Sequence, residues 1–271
     1  MRDVPNAWLE SWQIEVGHPV WASWVLYVLR PEGSPAAPVL VSGDACWNYL
    51  TDAVKHRFVN AGVALAWFNR VELAADAPNC SRQGPVFARF AHQRFGALSV
   101  WAWAYSRVVD ALLQMPAIDP TRIGIAGHSR GGKAALLAGA TDPRIWLTAA
   151  NNSGAGGSAS SLVQGAGSET LADLADKFPH WLAQDIQTSL ANGSMEALDQ
   201  HLLLSTIAPR KLLITQARGD LWANPLGTEH VAGKVTSHYA KFGADGAFLL
   251  VEREGDHPMM LGDWLAALAQ F

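Results

Sequence analysis

One stretch constrains this chain more than any other. The apolar run Arg122-Ile123-Gly124-Ile125-Ala126 leads into Gly127-His128-Ser129-Arg130-Gly131, and that into the helix-forming Lys133-Ala134-Ala135-Leu136-Leu137-Ala138. The order is a strand, a tight turn of small residues and a helix, with Ser129 at the apex. Glycines two before and two after the serine let such a turn close without Cβ clashes. The helix N-terminus behind it favours developing negative charge. A serine in that setting is a candidate nucleophile; the plainer alternative is a serine in a helix-start turn.

The rest of the chain repeats the same alternation. Strands are expected at Trp21 to Leu29, Pro38 to Val41, Val63 to Phe68, Ile145 to Ala150, Lys211 to Thr215 and Ala247 to Glu252. Between them, helices are expected at Leu50 to Asn60, Gly96 to Met115, Leu226 to Lys241 and Leu261 to Phe271. Trp101, Trp103, Val108 and Leu112 fall near helical spacing, a stripe that reads as core. Alternating strands and helices with short connections predict an α/β architecture, a mostly parallel central sheet with helices on both faces. From about 151 to 205 the pattern breaks into a Gly-rich loop and short polar helical pieces. This segment is read as a lid-like insertion in a single domain over 1–271.

Composition narrows the partners. Net charge is −4 with no basic block, so nucleic acid is not an expected partner. No apolar run approaches the roughly 18 residues that span a bilayer, so no membrane association is expected. Met1 to Asn6 lacks the pattern of a secretory signal, which predicts a cytoplasmic protein, or a secreted one whose signal has been trimmed. The two cysteines, Cys46 and Cys80, read as free thiols. No Cys or His pair has ligand spacing, so no metal or cofactor is expected; His230 with His238 and His18 with His56 read as surface or structural residues.

A serine hydroxyl needs a base, and the base needs an orienting acid. After a strand-turn-helix serine the expected chain order is Ser, acid, His, each in a loop following a strand. Of nine histidines, only His257 follows a late strand in a tight loop, Glu254-Gly255-Asp256-His257-Pro258. Asp220, after Lys211 to Thr215, fits the acid, with a turn or N-cap aspartate as the alternative reading. Asp256 is the runner-up.

With these residues in hand, the chain resembles the glucuronoyl esterases, carbohydrate esterases of the α/β-hydrolase fold that cleave esters of 4-O-methylglucuronate on xylan. Those enzymes carry Gly-Cys-Ser-Arg-Asn-Gly-Lys where this chain has Gly127-His128-Ser129-Arg130-Gly131-Gly132-Lys133. Similar stretches are Gly96-Ala97-Leu98 with Trp101-Ala102-Trp103 and Ser106-Arg107, Ile118-Asp119-Pro120, Ser153-Gly154-Ala155-Gly156-Gly157, and Asp199-Gln200-His201-Leu202-Leu203 before Ala208-Pro209-Arg210. The resemblance implies that Arg130 supports the oxyanion. It also implies that Lys133 contacts sugar hydroxyls, that Trp222 faces the uronate, and that Asn151, standing for a family glutamine, hydrogen-bonds substrate.

The chain also departs from the family. Asn152 stands where many members place a catalytic glutamate, and an amide cannot stabilise an imidazolium as a carboxylate does. His128 replaces a cysteine, and Ser158-Ala159-Ser160-Ser161 replaces a Trp-Arg pair. The expected function is a serine carboxylic ester hydrolase working through Ser129, His257 and Asp220 on glucuronate esters. The alternatives are a broad small-ester carboxylesterase and a serine peptidase of the prolyl-oligopeptidase kind. A second oxyanion donor is expected near Gly43-Asp44. Oligomeric state is not legible.

Overall fold

The computed structural model of the chain describes residues 4–77, 82–191 and 199–271. Eight strands form one sheet: β1 (Ala7–Val16), β2 (Ala22–Pro31), β3 (Ala37–Ser42), β4 (Ala64–Phe68), β5 (Ile118–His128), β6 (Leu147–Asn151), β7 (Lys211–Ala217) and β8 (Phe248–Arg253). Their order is β1-β2-β4-β3-β5-β6-β7-β8. The β1–β2 and β2–β4 pairs are antiparallel, and every later pair is parallel. Helices α1 (Asp52–Asn60), α2 (Pro85–Arg89), α3 (Ala97–Leu112), α4 (Arg130–Thr141), α5 (Leu171–Lys177), α6 (Gln184–Ala191), α7 (Gln200–Ser205), α8 (Pro225–Lys241) and α9 (Leu261–Leu268) complete the described fold.

The two-residue period of the strands divides the core. Val39, Val41, Ile123 and Ile125 face α3 and α4, packing on Val100, Trp101, Ala104, Ala134 and Ala138. Leu40, Leu65, Ala126 and Leu213 face the opposite layer, where Val54 and Phe58 of α1 meet Trp264 and Ala267 of α9. Strands buried on both faces read as continuous apolar runs, which is why the parallel strands are visible in the sequence. Strand β1 is not: it lies at the sheet edge and leaves Trp8 and Trp12 exposed. An edge strand with one half-solvated face carries no buried run to reveal it. Trp101, Val108 and Leu112 are fully buried, and Trp103 packs against the same cluster.

The segment between β6 and β7 carries α5, α6 and α7. It touches α3 closely: a Cβ on Gly96 would collide with the Trp181 carbonyl. Cys46 carries a free, exposed thiol; Cys80 lies outside the described residues. No described helix is long and apolar enough to cross a membrane.

Candidate active site

Ser129 links β5 to α4 with φ 52° and ψ −121°. A non-glycine residue in that region is strained, and such strain collects at functional sites. The turn is held by the Ser129 N–H donating to the Asn151 carbonyl at 2.8 Å and by the Lys133 N–H returning to the Ser129 carbonyl at 3.1 Å. The flanking glycines are required by close approach. A Cβ on Gly127 would strike the Gly131 carbonyl, and one on Gly131 would strike the Asp44 carboxylate.

His257 follows β8 in a loop tied down by Arg253. That guanidinium donates from Nε to Asp263 at 3.0 Å and from its terminal nitrogens to the carbonyls of Pro258 at 2.5 Å and Asp256 at 3.3 Å. Gly219 donates to the Gly255 carbonyl at 2.9 Å, stitching this loop to the one after β7. There the Asp220 carboxylate makes two contacts. Its Oδ1 accepts from the Ala223 N–H at 3.3 Å, capping a 3₁₀ turn, while its Oδ2 lies 2.5 Å from His257 Nδ1. The carboxylate is buried and the imidazole partly exposed. Asp256 is exposed on the loop surface. Ser129 and His257 line one cavity of about 210 Å³ with Arg130, Lys133, Asn152, Glu169, Trp181 and Trp222.

Arg130 is locked in place. Its guanidinium donates to both Asp76 carboxylate oxygens at 3.3 Å and lies 4.5 Å from the Trp181 ring centre. Asp76 also accepts from Trp181 Nε1 at 2.9 Å and from Arg70 at 3.3 Å. Arg70 is itself paired with Asp44, which accepts the His128 N–H at 2.8 Å. A chain of alternating charges thus runs from Arg130 back to the residue before Ser129. The Asp44–Arg70 and Asp76–Arg130 pairs carry no sequence signal, because their partners lie 26 and 54 residues apart.

Three expectations need correction. Asn151 does not line the cavity: its Oδ1 is 2.6 Å from His128 Nδ1 and its Nδ2 donates to Thr215 Oγ1 at 2.8 Å. As the last residue of β6 it points away from Asn152, so its amide braces the sheet end. Asn152, in left-handed backbone at φ 44°, does reach the cavity. It accepts from the Ala217 N–H and donates to the His257 carbonyl, both at 2.7 Å, strapping the histidine loop to β7.

The Gly43-Asp44 amides are likewise committed, to the Tyr105 hydroxyl at 2.8 Å and to Ser42 Oγ at 3.2 Å. Neither is a spare oxyanion donor.

Lys133 lines the cavity, but its three protons go to the Ser153 carbonyl at 2.8 Å, the Ala155 carbonyl and Glu169 Oε2 at 2.7 Å. Burial pulls its pKa down, against the opposing charge of Glu169. Lys133 therefore presents Glu169 to the cavity rather than itself. Glu169 carries no local signal of its own, yet a lysine amid Gly132, Ala134, Ala135 and Leu136 on a buried helix demands an acidic partner. Trp222 is 40% exposed at the rim, with the Lys177 ammonium 4.2 Å from its ring centre. Among the described residues no group of three or more His, Cys, Asp and Glu is arranged to hold a metal.

The chain is similar to known proteins over most of its length. The sequence profile described as "Glucuronyl esterase, fungi" matches residues 22–243. A 4-O-methyl-glucuronoyl methylesterase of Podospora anserina is 35% identical over 225 residues, which cover 79% of this chain and 45% of that protein. One from Hypocrea jecorina is 38% identical over 175 residues, 61% of this chain and 38% of that protein. This chain thus matches less than half the length of these curated relatives. A carbohydrate esterase family 15 glucuronoyl esterase from Caldicellulosiruptor kristjansonii superposes with a TM-score of 0.84 at 27% identity, covering 98% of this chain and 75% of that one. The β5–α4 elbow, the parallel sheet that carries it and the extended match place the chain in the glucuronoyl esterase family, with the α/β-hydrolase fold.

Proposed function

We propose that the protein is a serine carboxylic ester hydrolase whose acyl group is a glucuronate. The observation that carries this reading is the 2.5 Å contact of His257 Nδ1 with Asp220 Oδ2, in a cavity shared with Ser129 at its strained turn. With Nδ1–H donated to Asp220, the Nε2 lone pair is left to accept the Ser129 proton. Ser129 Oγ attacks the ester carbonyl, His257 takes the proton and passes it to the departing alcohol, and an acyl-enzyme remains. Water then adds with His257 as base and releases the acid. Asp220 keeps the tautomer and stabilises the imidazolium. Arg130, fixed by Asp76 and Trp181, presents positive charge to the oxyanion at no reorganisation cost.

The walls favour a sugar. Glu169 and Asn152 offer groups for hydroxyls, and Phe178 and Trp222 offer aromatic surface for C–H groups. The cavity is smaller than the roughly 300–1,000 Å³ of drug-sized pockets, a size for one ring rather than an oligosaccharide. The described residues of the segment over 151–205 act as the cover of this site within one domain. The relatives' names, 4-O-methyl-glucuronoyl methylesterases, support the same acyl group.

The test is hydrolysis of methyl and benzyl glucuronate beside p-nitrophenyl acetate, with Ser129→Ala as blank. Strong preference for the uronates is expected. Activity on the acetate alone would make this a general carboxylesterase, and no Ser129-dependent activity would overturn the reading.

A further inference from the structure

His128 stands immediately before Ser129 and is 2% exposed. Its ring is enclosed on every side. Nδ1 meets Asn151 Oδ1 at 2.6 Å, and because the Asn151 amide nitrogen donates to Thr215, that oxygen is the acceptor for Nδ1–H. Tyr49 and Trp47 stand edge-on with ring centres 4.9 and 5.5 Å away. The remaining flank lies against His257, with ring centres 4.6 Å apart and planes at 53°. His257 is held quite differently. Its side chain is 41% exposed, and its polar tethers are Asp220 at Nδ1 and Asn152 at the main-chain carbonyl. Neither tether stops the imidazole from rocking about the Asp220 hydrogen bond.

We propose that His128 is a positioning residue for His257: its enclosed ring is the wall that sets the angle of the His257 imidazole toward Ser129. The inference rests on the Ser129–His257–Asp220 reading above. Charge supports it. The groups facing this ring pair are Asp220 from the loop after β7, Arg253 at the end of β8, and the Tyr49 phenol beside His128. Burial first, and the nearby His257 second, push His128 down to about 4. Near neutral pH His128 is therefore uncharged and adds no like-charge repulsion when His257 takes the Ser129 proton. His128 does not line the cavity, so its influence belongs in turnover rather than in substrate binding.

The test uses a fluorophosphonate, which Ser129 attacks at phosphorus with loss of fluoride while His257 takes the hydroxyl proton, so no sugar recognition is involved. His128→Asn removes the wall but keeps an amide for Asn151; His128→Phe keeps a ring and removes that hydrogen bond. His128→Asn is expected to slow inactivation about ten- to a hundredfold and to lower kcat for ester hydrolysis equally, with KM unchanged. His128→Phe is expected to retain most of the rate. Wild-type rates in a folded His128→Asn, or equal losses in both variants, would overturn the proposal. Should neither variant fold, imidazole 15N spectra of the wild-type protein decide it. His128 is expected neutral and Nδ1-protonated at about pH 5, and an imidazolium there would overturn it. A wild-type protein inert to the probe, or as reactive as Ser129→Ala, would instead defeat the triad reading itself.

Discussion

Replacing Lys133 by methionine tests how the floor of the cavity is held. Lys133 and Glu169 are 4% and 5% exposed and 2.7 Å apart. The substitution conserves volume but strands the Glu169 carboxylate and removes the donor to the Ser153 and Ala155 carbonyls. Breaking a buried ion pair from one side costs about 3–5 kcal/mol. The carbonyls add to this only if water cannot reach them, so about 4 kcal/mol is expected. Against a total of about 5–15 kcal/mol for a folded protein, the variant stays folded but marginal. Glu169→Gln added to Lys133→Met removes the stranded charge, and the double variant should recover about half the loss. Urea denaturation of the wild type, both single variants and the double variant gives the cycle, with m-values expected to agree. A loss below about 1 kcal/mol for Lys133→Met, or a double variant no more stable than the single, would show the pair to be solvated and the reasoning wrong.

Asp220→Asn keeps the capping oxygen but allows the wrong His257 tautomer, so kcat should fall by about 10⁴ with KM little changed, read from ester hydrolysis. Gly139→Ala places a Cβ against Thr148 Oγ1, where α4 crosses β6, and should cost about 1–3 kcal/mol, seen as a lowered Tm. Stability should also depend on acid through His128. Its folded-state value of about 4 lies below the ordinary 6.5, so the unfolded chain binds the proton more readily. This contribution is full above pH 6.5 and is lost as pH falls toward 4, by about 3 kcal/mol at most. Denaturation midpoints measured across that range should show the slope in the wild type and a smaller one in His128→Phe.

What the sequence determined by itself is local. The apolar runs of β3 to β8, the glycine-framed turn at Ser129 and the order Ser129, Asp220, His257 after β5, β7 and β8 are all properties of neighbouring residues. Period and turn chemistry write them directly into the chain. What the tertiary structure decided is which side chains meet. Strand order brings β3 beside β5 and β7 beside β8. That sets Asp44 under Gly131, Asp220 against His257, and Asn151 against His128 rather than in the cavity. Family resemblance alone assigns Lys133 to sugar hydroxyls, whereas the fold commits its ammonium to Glu169 and two carbonyls. A buried polar group must be satisfied by whatever the fold places within about 3 Å, and that neighbour is set by topology, not by position along the chain.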